Sequence, residues 1–321
     1  MRSHKTKQLF LLLFKVALVS AICFFIYYKI YTHQAVNKAS FSIIFPLLHF
    51  KWIVLLLIFT GVNWFLEVIK WKNLIAFFKN ISLKESLRQV LMSHSISILT
   101  PNRIGEYGVK SLFYKNKDWK KIVFLNAFGN LAQLLTTITL GGLGIFYLVR
   151  KSPDLLHYFS LVKFIVFILS FCALLYFIKK FSIFSRQIDT TKRVLKQLNT
   201  SIKVKVTLLS FLRYLIFSHQ FYFLLIIFQV EIDYFTAMSC ITSMYLFASL
   251  VPSIFFLDAV IKGGVAIFLF SFFNIDEVSI LITSLLMWIF NFALPAVIGS
   301  FYIFHFKSNL KFNLNSFLWK L

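Results

Sequence analysis

The chain has 321 residues, of which 59% are hydrophobic and only 14% charged, with a mean hydropathy of +0.81. Such a composition excludes a water-soluble globular protein and points to an integral membrane protein. Its 34 Lys and Arg outnumber 11 Asp and Glu for a formal net charge of +23; the bases lie between apolar runs, where they set topology, so no nucleic-acid partner is expected.

The apolar runs are about 20 residues long and not alternating strands of about 10, which selects spanning helices over a barrel. The expected class is all-α. The basic start "MRSHKTK" precedes an apolar run at 9–31 that is too long for a signal-peptide core and lacks a small-x-small cleavage site, so it reads as a first membrane helix. Further full-length spans are expected at 52–71, 122–148, 158–178, 206–228 and 279–305. Two other apolar regions are awkward. Residues 86–100 are short and run into "LTPNRIGEYGVK" (Leu99–Lys110), and 234–273 is interrupted by Pro252, Asp258, Lys262 and the pair Gly263-Gly264.

Charge arbitrates between topologies. Bases crowd the N-terminus, 70–88, 103–121, 179–205 and the C-terminal tail, whereas "QVEID" and "NIDE" carry none. All basic segments share one side only if 86–115 leaves and re-enters from the cytoplasm and 234–273 does so from outside. The expectation is a polytopic inner-membrane protein with six full spans, two re-entrant hairpins from opposite faces and both termini cytoplasmic. Opposed interruptions of this kind suit an inverted-repeat transporter. The whole chain is expected to be one membrane domain, with 179–205 an amphipathic linker on the anionic inner leaflet.

Within "TPNRIGEYGVK", Pro101 biases its neighbour away from helix, and Asn102, Gly105 and Gly108 suit a turn. Arg103 offers a planar fork of donors for a phosphate, and Glu106 can balance its charge or take a proton. A cytoplasmic loop with one more topology-setting arginine would use the same residues. The second interruption, "SLVPSIFFLDAVIKGGVAIF" (Ser249–Phe268), repeats the ingredients and favours a site: Asp258 and Lys262 share a helix face, and charges at membrane depth need partners or water.

Other helices add polar faces. Asn126, Asn130, Gln133 and Thr137 form one stripe that suits either interhelical hydrogen bonds or the lining of a cavity. Asn63, Glu67 and Lys70 share a face, and Arg213 and Gln220 lie seven apart on one helix. Asp258 or a lipid phosphate would suit Arg213 as a partner. Cys23, Cys172 and Cys240 stand singly, the seven His lack ligand spacing, and no nucleotide or hydrolase motif is present, so neither metal nor cofactor is expected.

Four segments in this order, "NWFLEVIKWKNLI", "LTPNRIGEYGVKSLFY", "SFLRYLIFSHQFYFLL" and "SLVPSIFFLDAVIKGGVAIF", resemble the lysylphosphatidylglycerol synthase transmembrane-region family, the flippase-like membrane half of the multiple peptide resistance factor. "TPNRIGEY" is the most specific piece. Where relatives tend to carry Glu and Arg in the second interruption, this chain has Asp258 and Lys262, which keeps the signs of charge and loses an arginine's fork.

The resemblance implies a role with lipid or lipid-linked substrates. Synthase activity, which belongs to an appended soluble domain in those relatives, is not expected. The leading expectation is a translocator of a phospholipid or lipid-linked glycan, with membrane lipids bearing anionic or phosphate headgroups as partners. Its substrate-binding residues would be Pro101, Asn102, Arg103, Gly105, Glu106, Arg213, Asp258 and Lys262. Glu67, Asn126, Asn130, Gln133 and Gln220 would line the cavity. The rivals are an accessory subunit presenting a lipid-linked substrate to a glycosyltransferase and an enzyme acting on a headgroup with Glu106 or Asp258 as base.

Overall fold

A computed structural model describes residues 47–98, 100, 103–115, 118–155, 198–251 and 257–304. Among the described residues every regular element is helical: α1 (Phe50–Ala76), α2 (Leu83–Ser97), α3 (Gly105–Ser111), α4 (Trp119–Lys151), α5 (Thr200–Ile227), α6 (Tyr234–Leu250), α7 (Leu257–Ser271) and α8 (Glu277–Trp288). A π-helical turn (Ile289–Ala293) and α9 (Leu294–Phe304) follow α8.

Helices α1, α4 and α5 and the stretch Glu277–Ile303 are each long and apolar enough to cross a bilayer. They fall on the spans expected at 52–71, 122–148, 206–228 and 279–305, and they mark a membrane-embedded protein. The spans expected at 9–31 and 158–178 lie outside the described residues, as does most of the 179–205 linker, although α5 has already begun by Thr200. Both awkward regions consist of two short helices with a break between them, α2 and α3 in one, α6 and α7 in the other.

Large apolar side chains on these helices stay uncovered: Leu143 on α4 and Phe301 on α9 are more than half exposed. In water that surface would be costly. Among lipid tails it matches its surroundings, and the residues turned inward are free to be polar.

The described residues fall into two compact units, the first drawn from Met1–Asn63, Leu135–Ser160 and Tyr214–Ala293, the second from Trp64–Leu134, Leu161–Arg213 and Leu294–Leu321. In the first unit, α7 packs on both α6 and α8. Gly144 lets α4 approach α6 closely, for a Cβ there would overlap the Thr242 hydroxyl and come 2.8 Å from the Ser239 carbonyl oxygen. Asp233 caps α6 by accepting from the Thr236 amide at 3.0 Å. It also accepts from Lys151, in the last turn of α4, and the two partners hold its carboxyl well below the usual carboxylate range.

The π turn serves a buried amide network in the same unit. Asn291 donates to Gln220 Oε1 at 2.7 Å and accepts from Asn63 Nδ2 at 2.8 Å. Gln220 Nε2 in turn donates to the Leu56 carbonyl at 3.0 Å and to Thr60 Oγ1 at 3.1 Å. The wider turn places Asn291 where three helices converge, which is a common use of such insertions.

The second unit is organised on α2. Ser82 caps it by accepting from the Glu85 amide at 3.1 Å, the first half of the S-x-x-E capping pattern. Ser86 Oγ donates to the Val68 carbonyl at 2.7 Å and ties α2 to α1. Ser95 Oγ reaches the Ala296 carbonyl at 2.6 Å and ties α2 to α9. Trp71, Ile75, Leu91, Ile122, Leu125 and Val206 are core members around them.

Gln89 is the polar centre of that core. Its Oε1 accepts from Trp71 Nε1 at 2.8 Å and from Tyr114 Oη at 2.9 Å. Both donors are buried, and a buried donor without an acceptor costs roughly 1–3 kcal/mol. Gln89→Leu is therefore expected to lower unfolding stability by about 2 kcal/mol or more. Thermal melting of the purified protein in detergent checks it, and an unchanged melting temperature would contradict the role.

Candidate functional site

The break between α2 and α3 is held by Thr100. Its hydroxyl donates to the Ser97 carbonyl at 2.8 Å and accepts from the Gly105 amide at 2.8 Å. Only glycine fits at 105, because a Cβ would lie 2.9 Å from Thr100 Cγ2. Arg103, between them, has a φ of 58°, a left-handed conformation that non-glycine residues seldom adopt. That turn directs its guanidinium to His94 on α2, with Nη2 2.8 Å from Nδ1.

Trp64, Glu67, Val90, His94, Arg103, Glu106, Asn130 and Arg213 line a small, partly open cavity of about 20 Å³, room for one water-sized group. All eight belong to the second unit. The space is far smaller than the ~300–1,000 Å³ typical of pockets for whole drug-sized ligands, and a group larger than water enters only if the lining side chains move apart.

Its electrostatics follow from two carboxylates, each shared by two cations. Glu67 Oε2 lies 2.6 Å from Lys70 Nζ and 2.7 Å from Arg213 Nη1. Glu106 Oε1 lies 2.6 Å from Lys110 Nζ, and its Oε2 lies 3.8 Å from Arg103 Nη2. Lys110 also donates to Asn126 Oδ1 at 2.7 Å and sits 4.3 Å from the Trp71 ring centre. Arg213 faces the Trp64 ring at 5.7 Å.

Positive charge is thus in excess around the cavity. Taking a charge out of water is costly unless partners replace its hydration, and here carboxylates, an amide and two indole faces do so. Two cations, Arg103 and Arg213, line the open space itself, where an anion could meet both.

Arg103, Gly105, Glu106, Arg213, Glu67, Asn126 and Asn130 all belong to this unit, and four of them line the cavity with Asn130. Asn130 donates to Tyr107 Oη at 3.1 Å. Gln133 is partly buried further along α4. Pro101 and Asn102 lie outside the described residues. Asp258 and Lys262 form their own pair at 2.7 Å on α7 in the first unit, and Gln220 is fully buried within that unit's amide network.

The site residues expected from the sequence include neither His94 nor Lys110. Lys110 carries a legible signal, because it follows Glu106 by the same four-residue step that separates Lys262 from Asp258. His94 carries none, standing alone on its helix.

Removing one member of a buried ion pair strands the other and costs roughly 3–5 kcal/mol. Glu67→Gln is expected to lower stability by about that amount, since Lys70 and Arg213 share the carboxylate. Asp258→Asn, at a more exposed pair, should cost about 1 kcal/mol or less. Equal effects of the two substitutions on the melting temperature would contradict this ranking.

Compared with known protein families and with curated proteins, the sequence matches none.

Proposed function

We propose that the protein is a membrane translocator for lipids with a phosphate-bearing headgroup, a phospholipid or a lipid-linked glycan, and that the phosphate is bound between Arg103 and Arg213. The observation that carries this reading is the cavity in which four cations share two carboxylates within an otherwise apolar helical chain. Phosphate would bring the negative charge that the cluster lacks. Arginine's planar fork suits its oxygens better than a lysine's point charge.

The resemblance of "TPNRIGEY" to the lysylphosphatidylglycerol synthase transmembrane-region family points the same way, since Arg103 and Glu106 of that segment line the cavity. Six spans and two re-entrant hairpins entering from opposite faces complete the proposed topology, with both termini in the cytoplasm. The likeness between the two interruptions supports it: each is a helix, a break and a helix whose first turns carry an acid and, four residues on, a base. Alternate opening of such hairpins would carry a headgroup between leaflets while the tails stay in lipid. The partners are membrane lipids, and the reading needs no cofactor.

The purified full chain in liposomes, with labelled phosphatidylglycerol, phosphatidylcholine and an isoprenoid-linked phosphate, provides the test. Transbilayer movement of at least one of these above that in empty vesicles is expected. Losing a charge-assisted hydrogen bond costs roughly 1.5–3 kcal/mol, so Arg103→Gln and Arg213→Gln should each slow that movement about tenfold or more. Movement equal to empty vesicles for all three lipids would overturn the proposal.

A further inference from the structure

His94 plays no part in binding as derived so far, yet its surroundings are built with care. The ring is buried to 1% exposure, lies 4.5 Å from the Trp64 ring centre and holds the guanidinium of Arg103 through Nδ1 at 2.8 Å. A guanidinium has only donors, so Nδ1 must accept, and the imidazole must be neutral with its proton on Nε2. A protonated His94 could not make this bond and would repel Arg103.

Among the described residues, the groups around His94 come from several elements. Arg103 comes from the turn before α3, Glu106 from α3, Glu67 and Trp64 from α1, uncharged Asn130 from α4 and Arg213 from α5. Lys70 and Lys110 stand behind the two carboxylates. On α9, Tyr302 is the sole titratable side chain in Leu294–Phe304, and it packs against the apolar core. Each carboxylate near His94 already serves two cations, so an empty cavity opposes a proton on the imidazole.

An anion reverses the balance. Phosphate between Arg103 and Arg213 draws the Arg103 guanidinium toward itself, frees Nδ1 and supplies negative charge beside the ring. We propose that His94 is the positioning residue that couples this cavity to protons: neutral, it holds Arg103 in place, and it takes up one proton from solvent as an anionic headgroup engages Arg103. The proposal rests on the reading of the cavity as a phosphate site. By linkage, uptake of one proton makes anion affinity rise up to about tenfold for each unit the pH falls across the titration range.

Two readouts on the full chain in phosphatidylcholine nanodiscs separate this coupling from the lipid reading. The first needs no ligand: ¹⁵N-histidine spectra, with His94 assigned by the signal lost in His94→Asn. The wild-type ring is expected as the neutral Nε2–H form, and Arg103→Gln should raise its titration midpoint by a unit or more. A midpoint unmoved by Arg103→Gln would overturn the coupling whatever the protein does with lipid.

The second readout is affinity for phosphatidylglycerol, whose phosphodiester does not titrate between pH 5.5 and 8, with glycerophosphoglycerol as the free-headgroup arm. Wild-type affinity should rise as pH falls. His94→Asn, whose amide oxygen can accept from Arg103 but cannot be protonated, should bind with no pH slope. A wild-type slope kept by His94→Asn would overturn the proposal. Tighter binding of the intact lipid assigns the headgroup to a lipid, and equal binding assigns it to a soluble phosphodiester. No affinity for either probe at any pH would overturn the headgroup reading and leave the His94–Arg103 coupling to the spectra.

Discussion

A charge inside an apolar chain must be solvated by the chain itself, and the second unit is arranged around that requirement. Glu67 and Glu106 each serve two cations, Asn126 takes a further bond from Lys110, and Trp71 and Trp64 present their faces to Lys110 and Arg213. Nothing in this cluster is cheap to bury. A cluster held only for stability could be replaced by packed apolar residues at little loss, and the proposed headgroup site gives these charges a further task.

The first unit solves a related problem without charge. Gln220, Asn291, Asn63 and Thr60 bond to one another and to the Leu56 carbonyl across three helices. Such a network fixes helix packing. The contrast assigns different tasks to polar residues that look alike in sequence: amides closed on themselves hold helices together, Asn126 solvates a buried lysine, and Asn130 lines the cavity.

The fold class was legible because hydropathy alone separates spanning helices from everything else, and four of the expected spans coincide with long apolar helices. The first interruption was legible too, since Pro101 and Gly105 announce a break, but the pair Gly263-Gly264 announces one that the structure does not have, because α7 runs unbroken from Leu257 to Ser271 and two glycines in mid-helix are tolerated where neighbours pack on it. What spacing cannot supply is the partner. Glu67 and Arg213 are 146 residues apart, and only folding shows that they meet. The stripe on α4 read equally as interhelical hydrogen bonding or lining because periodicity fixes a face and not what that face meets. His94 was silent for a similar reason: its importance comes from the left-handed turn at Arg103, which brings a guanidinium onto an isolated ring.

The central claim is that this cavity receives a headgroup phosphate, and the most direct measurement is a cryo-electron microscopy structure of the full chain in nanodiscs containing phosphatidylglycerol. The account predicts phosphate density within hydrogen-bonding distance of both Arg103 and Arg213, with Glu67 and Glu106 still paired to Lys70 and Lys110. Well-resolved headgroups confined to the outer surface of the helices, with only water between the two arginines, would contradict it.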